Sequence, residues 1–241
     1  MTIYGSLFQQ FEENQSADPF VLQNKKMLKV SMAYGQVWAK AGSMVAYQGD
    51  VRFENKGSGG LNRIVKSAVT GEGVRLMSCN GQGEMFLADA AADIQILYLD
   101  NDLVSVNGNS VLAFSGSINW DIRRVQAKGG MMAGGLYNVE LSGTGYVAVT
   151  TDGEPVALDV ASAPTFADAQ AVVLWTSGVR MDVKIDTGGF KSLVRGGSGE
   201  TIQMAFGGQG HVLVQPSEGV VTGGHQQGSS SGSGLGDLFG N

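Results

Sequence analysis

Cysteine and histidine are the side chains best suited to supply a nucleophile, a base or a metal ligand near neutral pH. The chain carries one cysteine, Cys79, and two histidines, His211 and His225. Nucleophilic chemistry needs a thiolate held beside a base and an orienting group. Cys79 instead falls on an alternating apolar stretch, where Leu141 and Phe206 stand at the matching positions further along the chain. A packed thiol is the expectation. Glu84 and Tyr146 stand at the positions matching His211, so a metal site built from identical ligands is not available there, and a solvent-facing imidazole is expected. His225 lies among Gly, Gln and Ser with no second ligand at metal spacing.

The other candidates are equally sparse. Gly57-Ser-Gly-Gly60 and Gly196-Gly-Ser-Gly-Glu200 could cradle an anion with successive N–H groups, but neither continues into Gly-Lys-Ser/Thr or sits in a strand-to-helix unit. They are expected to be connections. Asp100 and Asp102 are expected in a turn, where aspartate caps its own backbone. Lys25, Lys26 and Lys29 suggest a solvated strand edge guarded by lysine, too small a cluster to be a nucleic-acid footprint. Trp120 and Trp175 occupy positions filled elsewhere by Phe53, Met181, Tyr47 and Phe114, the interchange expected of core residues; only Trp38 lacks such an assignment. No catalytic residue, cofactor or metal ligand is therefore expected, and the chain is not expected to be an enzyme.

The elements that position these residues follow from composition and pattern. Among 241 residues, 37 are glycine and only 4 are proline, without a Gly-X-Y period, which favours a turn-rich β protein over a collagen-like one. A net charge of -6 opposes non-specific attraction to nucleic acid or anionic lipid. A lone cysteine, no apolar run long enough to span a bilayer and no signal-like start suggest a cytoplasmic location. Two blocks recur three times. Met44-Val-Ala-Tyr-Gln-Gly-Asp-Val-Arg-Phe53 aligns without gaps on Val111-Leu-Ala-Phe-Ser-Gly-Ser-Ile-Asn-Trp120 and on Val172-Val-Leu-Trp-Thr-Ser-Gly-Val-Arg-Met181, bringing Tyr47, Phe114 and Trp175 into correspondence. Downstream, Asn80-Gly-Gln-Gly-Glu-Met-Phe-Leu87 matches Ser142-Gly-Thr-Gly-Tyr-Val-Ala-Val149 and Gly207-Gly-Gln-Gly-His-Val-Leu-Val214.

Positions Met77/Val139/Met204, Cys79/Leu141/Phe206, Met85/Val147/Val212 and Leu87/Val149/Val214 are apolar at period two, as one buried sheet face requires. The Gly-x-Gly pairs, Gly81 and Gly83 in the first copy, suggest a hairpin turn with positive φ or close backbone approach. Met27–Ser31, Ile94–Tyr98 and Val156–Val160 supply a further strand to each copy. Gly59–Lys66 and Gly188–Arg195 carry a short helical stripe, reduced to Lys128–Gly135 in the middle copy. The expected organisation is an N-terminal segment over 1–20, one compact all-β domain over 21–216 made of three tandem antiparallel repeats (21–90, 91–152 and 153–216) around a pseudo-three-fold axis, and a flexible Gly/Ser-rich tail over 217–241. Tyr47, Phe114 and Trp175 are expected to meet in the common interior.

The segment Gly35-Gln-Val-Trp-Ala-Lys-Ala-Gly-Ser-Met-Val-Ala-Tyr-Gln-Gly-Asp-Val51, the Gly71-Glu-Gly73 block, the Gly-x-Gly strands and Leu112-Ala-Phe-Ser115 together resemble the altered inheritance of mitochondria twenty-four family over about Val21 to Pro216. The resemblance implies β-sandwich modules like the tryptophan RNA-binding attenuation protein. It also implies fungal relatives that support cristae-organising assemblies at the mitochondrial inner membrane; lacking a mitochondrial presequence, this chain is not expected to inherit that role. The functional expectation is a non-catalytic scaffold with an unidentified protein partner, a homo-oligomer being one option. Leu235, Leu238 and Phe239 in the tail form a candidate partner-docking motif. The alternative is a small-ligand, lipid or RNA-binding module using a cleft between repeats. Nucleic acid is disfavoured by charge, and peripheral membrane association stays open.

Overall fold

The computed structural model describes residues 5–54, 74–126, 132–185 and 202–217. Apart from one turn of helix, α1 (Leu7–Gln10), and two short 3-10 turns, its regular elements are strands. The apolar alternation of the first sequence unit folds as β1 (Phe20–Asn24), β2 (Met27–Ser31), β3 (Val37–Lys40), β4 (Met44–Glu54) and β5 (Leu76–Leu87). The second gives β6 (Asp93–Asn107), β7 (Val111–Ser115), β8 (Asn119–Gln126) and β9 (Met132–Thr151). The third gives β10 (Val156–Asp159), β11 (Thr165–Asp168), β12 (Val172–Thr176), β13 (Val179–Ile185), β14 (Ile202–Gly208) and β15 (His211–Val214). All pairings are antiparallel; twelve strands form one sheet, and β11, β14 and β13 form a second.

Register links the recurrent blocks. Tyr47 lies opposite Met85, Phe114 opposite Val147 and Trp175 opposite Val212. Phe53 faces Cys79, Trp120 faces Leu141 and Met181 faces Phe206. Each leading strand also carries an irregularity at the same place, so that Val45, Leu112 and Val173 are the residues skipped by the pairing. A one-residue bulge re-aims its side chain and bends the strand.

Two strand-to-strand joints connect successive segments of the chain. In the first, β3 pairs with β7 through Val37–Ser115, Trp38–Phe114 and Ala39–Ala113. In the second, β6 pairs with β12 through Val104–Thr176, Ser105–Trp175 and Val106–Leu174. At each joint the bulge residue is fully buried in the core of the preceding segment: Leu112 (0% exposed) packs with Leu28, Val30 and Cys79, and Val173 (0% exposed) packs with Val104, Phe114 and Leu141. A third cluster, built on Trp175, Val183, Met204 and Phe206, fills the last segment.

Several expectations need correction. The Gly-x-Gly pairs do not reverse the chain. Gly81 and Gly83 lie inside the continuous β5, and Gly143 and Gly145 inside β9, all with positive φ. In the last segment the break at Gln209–Gly210 separates β14 from β15, which belong to different sheets. The glycines thus bend a strand so that its halves meet different neighbours: β3 along Leu76–Cys79 and β2 along Glu84–Leu87. Close approach enforces glycine, since a Cβ on Gly81 would stand 2.0 Å from the Asp50 carbonyl oxygen and one on Gly83 would stand 2.0 Å from that of Gln48. Asp100–Asp102 is likewise no reversal but a bulge within β6, with Asn101 at φ 51°. Met132–Gly135, expected in a helical stretch, begins β9. The other two helical stretches lie outside the described residues.

Tyr47 is also misassigned. Phe114 and Trp175 are buried, whereas Tyr47 is 48% exposed. The register is shared but the surroundings are not: β7 and β12 each carry a further strand on their outer edge, and β4 pairs only with β5 among the described residues. The glycine geometry gives a quantitative expectation. Gly81→Ala, which combines a backbone clash with φ of +133°, is expected to cost more than ~2 kcal/mol. Gly42→Ala, at φ +90° with open space around it, should cost about 1 kcal/mol. Paired chemical-denaturation curves check this, and equal losses would refute the close-approach argument.

Candidate functional site

Two features stand out as places where the molecule could act: a polar cleft between segments and a strand edge with no second neighbour among the described residues. The cleft, of about 240 Å³, is formed where the loop Asp89–Ala92 meets the turn Asn107–Ser110, the end of β9 at Thr150–Asp152, and Gln170 and Gln215. Its volume falls just short of the ~300 Å³ at which small-molecule pockets usually begin. Ala90 and Ala91 adopt φ of 47° and 56°, conformations that an L-residue adopts at some cost.

The polar groups of the cleft are largely engaged with one another. Asn107 donates from Nδ2 to the Val172 carbonyl at 3.1 Å and accepts the Asn109 N–H at 3.1 Å. Thr151 Oγ1 donates to the Gly153 carbonyl at 2.7 Å, and Gln215 accepts the Asp152 N–H at 3.0 Å while donating to Gln170. Lys40, beside the cleft, is paired with Asp89 and donates to the Asn109 carbonyl at 3.2 Å. These bonds tie the three segments together, and the cleft lining includes no cysteine or histidine.

The edge is different in kind. Val45 is 53% exposed and Tyr47 is 48% exposed, with the Tyr47 ring packed edge-on against Phe53 at 5.3 Å. Met44–Gln48 contains no charge and no proline, the usual guards of an open edge. In the second sheet, β11 pairs with β14 alone among the described residues, and Phe166 on it is 52% exposed.

The residues singled out for chemistry are dispersed. Cys79 is fully buried, and desolvation pushes its thiol up to about 12, so at neutral pH it is a protonated core side chain. His211 is exposed at the start of β15, opposite Asp159. Among the described residues no group of three or more His, Cys, Asp and Glu is placed to hold a metal ion. His225, both glycine-rich stretches and Leu235, Leu238 and Phe239 lie outside the described residues. Trp38, unassigned from sequence, sits in the β3–β7 joint with its ring edge-on to Trp120 at 5.6 Å. Its counterpart in the second joint is Ser105, so comparison of the copies gives no signal for it.

The lysine cluster also departs from expectation. Lys25 and Lys26 pair with Asp93 at 2.9 and 3.0 Å, but Lys29 is buried rather than solvated. Its ammonium meets Glu13 at 2.6 Å, Glu84 at 2.8 Å and the Asn14 carbonyl at 2.7 Å. Burial works against the charge, yet the hydrogen bonds to Glu13 and Glu84 outweigh it and hold the Lys29 pKa above its ordinary value. Glu13 is held below its ordinary 4.5 by hydrogen bonding to Glu84 and then to Lys29. A lowered carboxyl pKa contributes stability that is present above 4.5 and lost as pH falls through the folded value. Acidification below 4.5 is therefore expected to loosen the segment before β1, read as faster hydrogen exchange in residues 12–19 than in β5. Lys29→Ala, which strands two partly buried carboxylates, is expected to cost about 3 kcal/mol. Unchanged exchange on acidification would show that Lys29 does not hold this segment down.

Comparison with known proteins places this arrangement. A family model described as mitochondrial biogenesis AIM24 matches residues 20–217. The fold is similar to the crystal structure of a protein from Streptococcus pyogenes, with 24% sequence identity and a TM-score of 0.67, covering 82% of this chain and 92% of that one. No protein of curated function matches significantly.

Proposed function

The chain belongs to the mitochondrial biogenesis AIM24 family, and we propose that it acts as a non-catalytic scaffold that binds proteins through exposed strand edges. In this reading residues 21–216 are one domain of three copies of a single antiparallel β unit. The shared registers and the three equivalent bulges support that view. The pseudo-three-fold arrangement requires the first and third copies to join as well; among the described residues β4 and β11 do not pair with each other. A cytoplasmic location belongs to the same reading and rests on the sequence expectations. No helix among the described residues is long and apolar enough to cross a membrane.

The observation that carries the proposal is the uncharged first half of β4, Met44–Gln48, where Val45 and Tyr47 are half exposed and no second strand pairs among the described residues, because such a strand offers both backbone hydrogen bonds and apolar surface to a partner. The burial of Cys79 and the mutual engagement of the cleft's polar groups favour binding over catalysis. The second reading, a small ligand held in the cleft, is favoured by its position between segments.

Complementation of a host strain lacking the protein separates them. Tyr47→Lys is expected to fail to restore the wild-type phenotype at normal protein levels, whereas Gln170→Ala and Asp152→Asn in the cleft restore it. The opposite pattern would transfer the function to the cleft.

A further inference from the structure

Parity divides β2, β4 and β5 into two faces. Leu28, Val30, Met85 and Leu87 point into the first core. Lys29, which lies opposite Phe86, and Gln48, which lies opposite Glu84, belong to the other face. That outer face is covered: Lys29 and Phe86 are both buried, although Phe86 belongs to none of the three cores. The element that meets Lys29 there is the chain before β1, through Glu13 and Asn14.

The contacts that fasten this segment are polar. Glu13 meets Lys29 at 2.6 Å and accepts from Gln48 Nε2 at 3.2 Å, and the Asn14 carbonyl accepts from Lys29 at 2.7 Å. Towards β1, the Asn14 N–H donates to Gln23 Oε1 at 2.8 Å and Gln23 Nε2 donates to the Glu12 carbonyl at 3.0 Å; further on, the Tyr34 hydroxyl donates to the Ala17 carbonyl at 2.8 Å. No residue from 5 to 19 is buried. A segment that sinks no apolar side chain gains little from the hydrophobic effect, so its grip is that of one ion cluster and a few hydrogen bonds. The buried ammonium, by contrast, needs oxygen partners whichever chain supplies them.

We propose that this outer face is the docking site for an extended acidic segment of a protein partner, and that residues 12–19 are a strap that occupies it until the partner displaces them. A carboxylate of the incoming segment takes the place of Glu13 against Lys29 and Gln48, and one of its backbone carbonyls takes the place of that of Asn14. The proposal rests on the scaffold reading, because Gln48 ends the Met44–Gln48 stretch, and it names the chemistry of the partner. The strap itself defines that chemistry: Lys29 already holds Glu84 at 2.8 Å and takes one further carboxylate from outside the sheet. Being tethered, the strap competes at an effective concentration on the order of millimolar, so a partner must add contacts elsewhere to win. Val45 and Tyr47, half exposed on the same strand, offer them.

Isotope-labelled full chain titrated with a synthetic peptide of residues 5–19 tests this by NMR. In the Glu13→Lys chain, whose own strap is repelled by Lys29, the peptide is expected to shift the amides of Lys29, Gln48 and Glu84 and to bind about tenfold more tightly than to the wild type, where the tethered strap competes. Glu13→Gln, which removes the charge without adding another, should give an intermediate affinity, and a peptide carrying Glu13→Lys should not bind. Exchanging the charges, Glu13→Lys with Lys29→Glu in one chain, should keep the circular dichroism spectrum yet reject the unaltered peptide and fail in complementation. A peptide that leaves those amides unmoved at concentrations on the order of millimolar, or that binds the wild type as tightly as the Glu13→Lys chain, would overturn the proposal. Full complementation by the charge-exchanged chain would do so as well, because it would reduce the cluster to a structural fastening. Any of these results beside a Tyr47→Lys variant that still fails complementation would refute the displaceable strap and leave the scaffold reading in place.

Discussion

The structure depends on one contact: an aliphatic side chain, pushed out of register by a bulge, that completes the core of the segment before it. Leu112 does this for the core around Leu28, Val30 and Cys79, and Val173 does it for the core around Val104 and Leu141. A segment of this size is marginal in stability on its own. Borrowing a residue from the next unit closes each core and at the same time fixes the pairing of the strands that flank it. A one-residue slip would turn the bulge outward and expose every apolar position on that strand.

The glycine pairs serve the same arrangement. A straight β5 or β9 could serve only one set of neighbours along its length. At Gly81–Gly83 and Gly143–Gly145 positive φ and the loss of side chains let the strand bend, so that along one side its halves meet different partners, β3 and β2 on β5 and β8 and β7 on β9. The ion pairs act elsewhere. Lys29 with Glu13 and Glu84, and Lys25 and Lys26 with Asp93, anchor the segment before β1 and the start of β6 around the first hairpin. Lys29 tolerates burial because three oxygens surround its ammonium.

Among the described residues, the most distinctive surface of this AIM24-family chain is the Met44–Gln48 stretch of β4. The cleft is polar, but its hydrogen bonds hold segments together. Within β4 the stretch Met44–Gln48 is uncharged, and Val45 and Tyr47 on it are half exposed. Natural sheets usually protect such an edge with lysine, proline or a covering element, and Met44–Gln48 carries neither lysine nor proline.

Period-two alternation made the strands legible, and the recurrence of Met77, Val139 and Met204, and of Cys79, Leu141 and Phe206, identified the residues that face inward. These features are local, because a side chain's face in a strand depends only on its parity. The same alternation could not tell that Tyr47 is exposed while Phe114 and Trp175 are buried, nor that Val45 is solvent-exposed while Leu112 and Val173 are sealed. Lys29, expected in water, is buried for a similar reason, since Glu13 and Glu84 reach it from elements distant in sequence. Parity determined which face each alternating residue presents; the tertiary structure decided where strands run on through glycine pairs and bulges and which of those faces are covered, because both depend on the next strand across, and among the described residues the first and last segments each lack one.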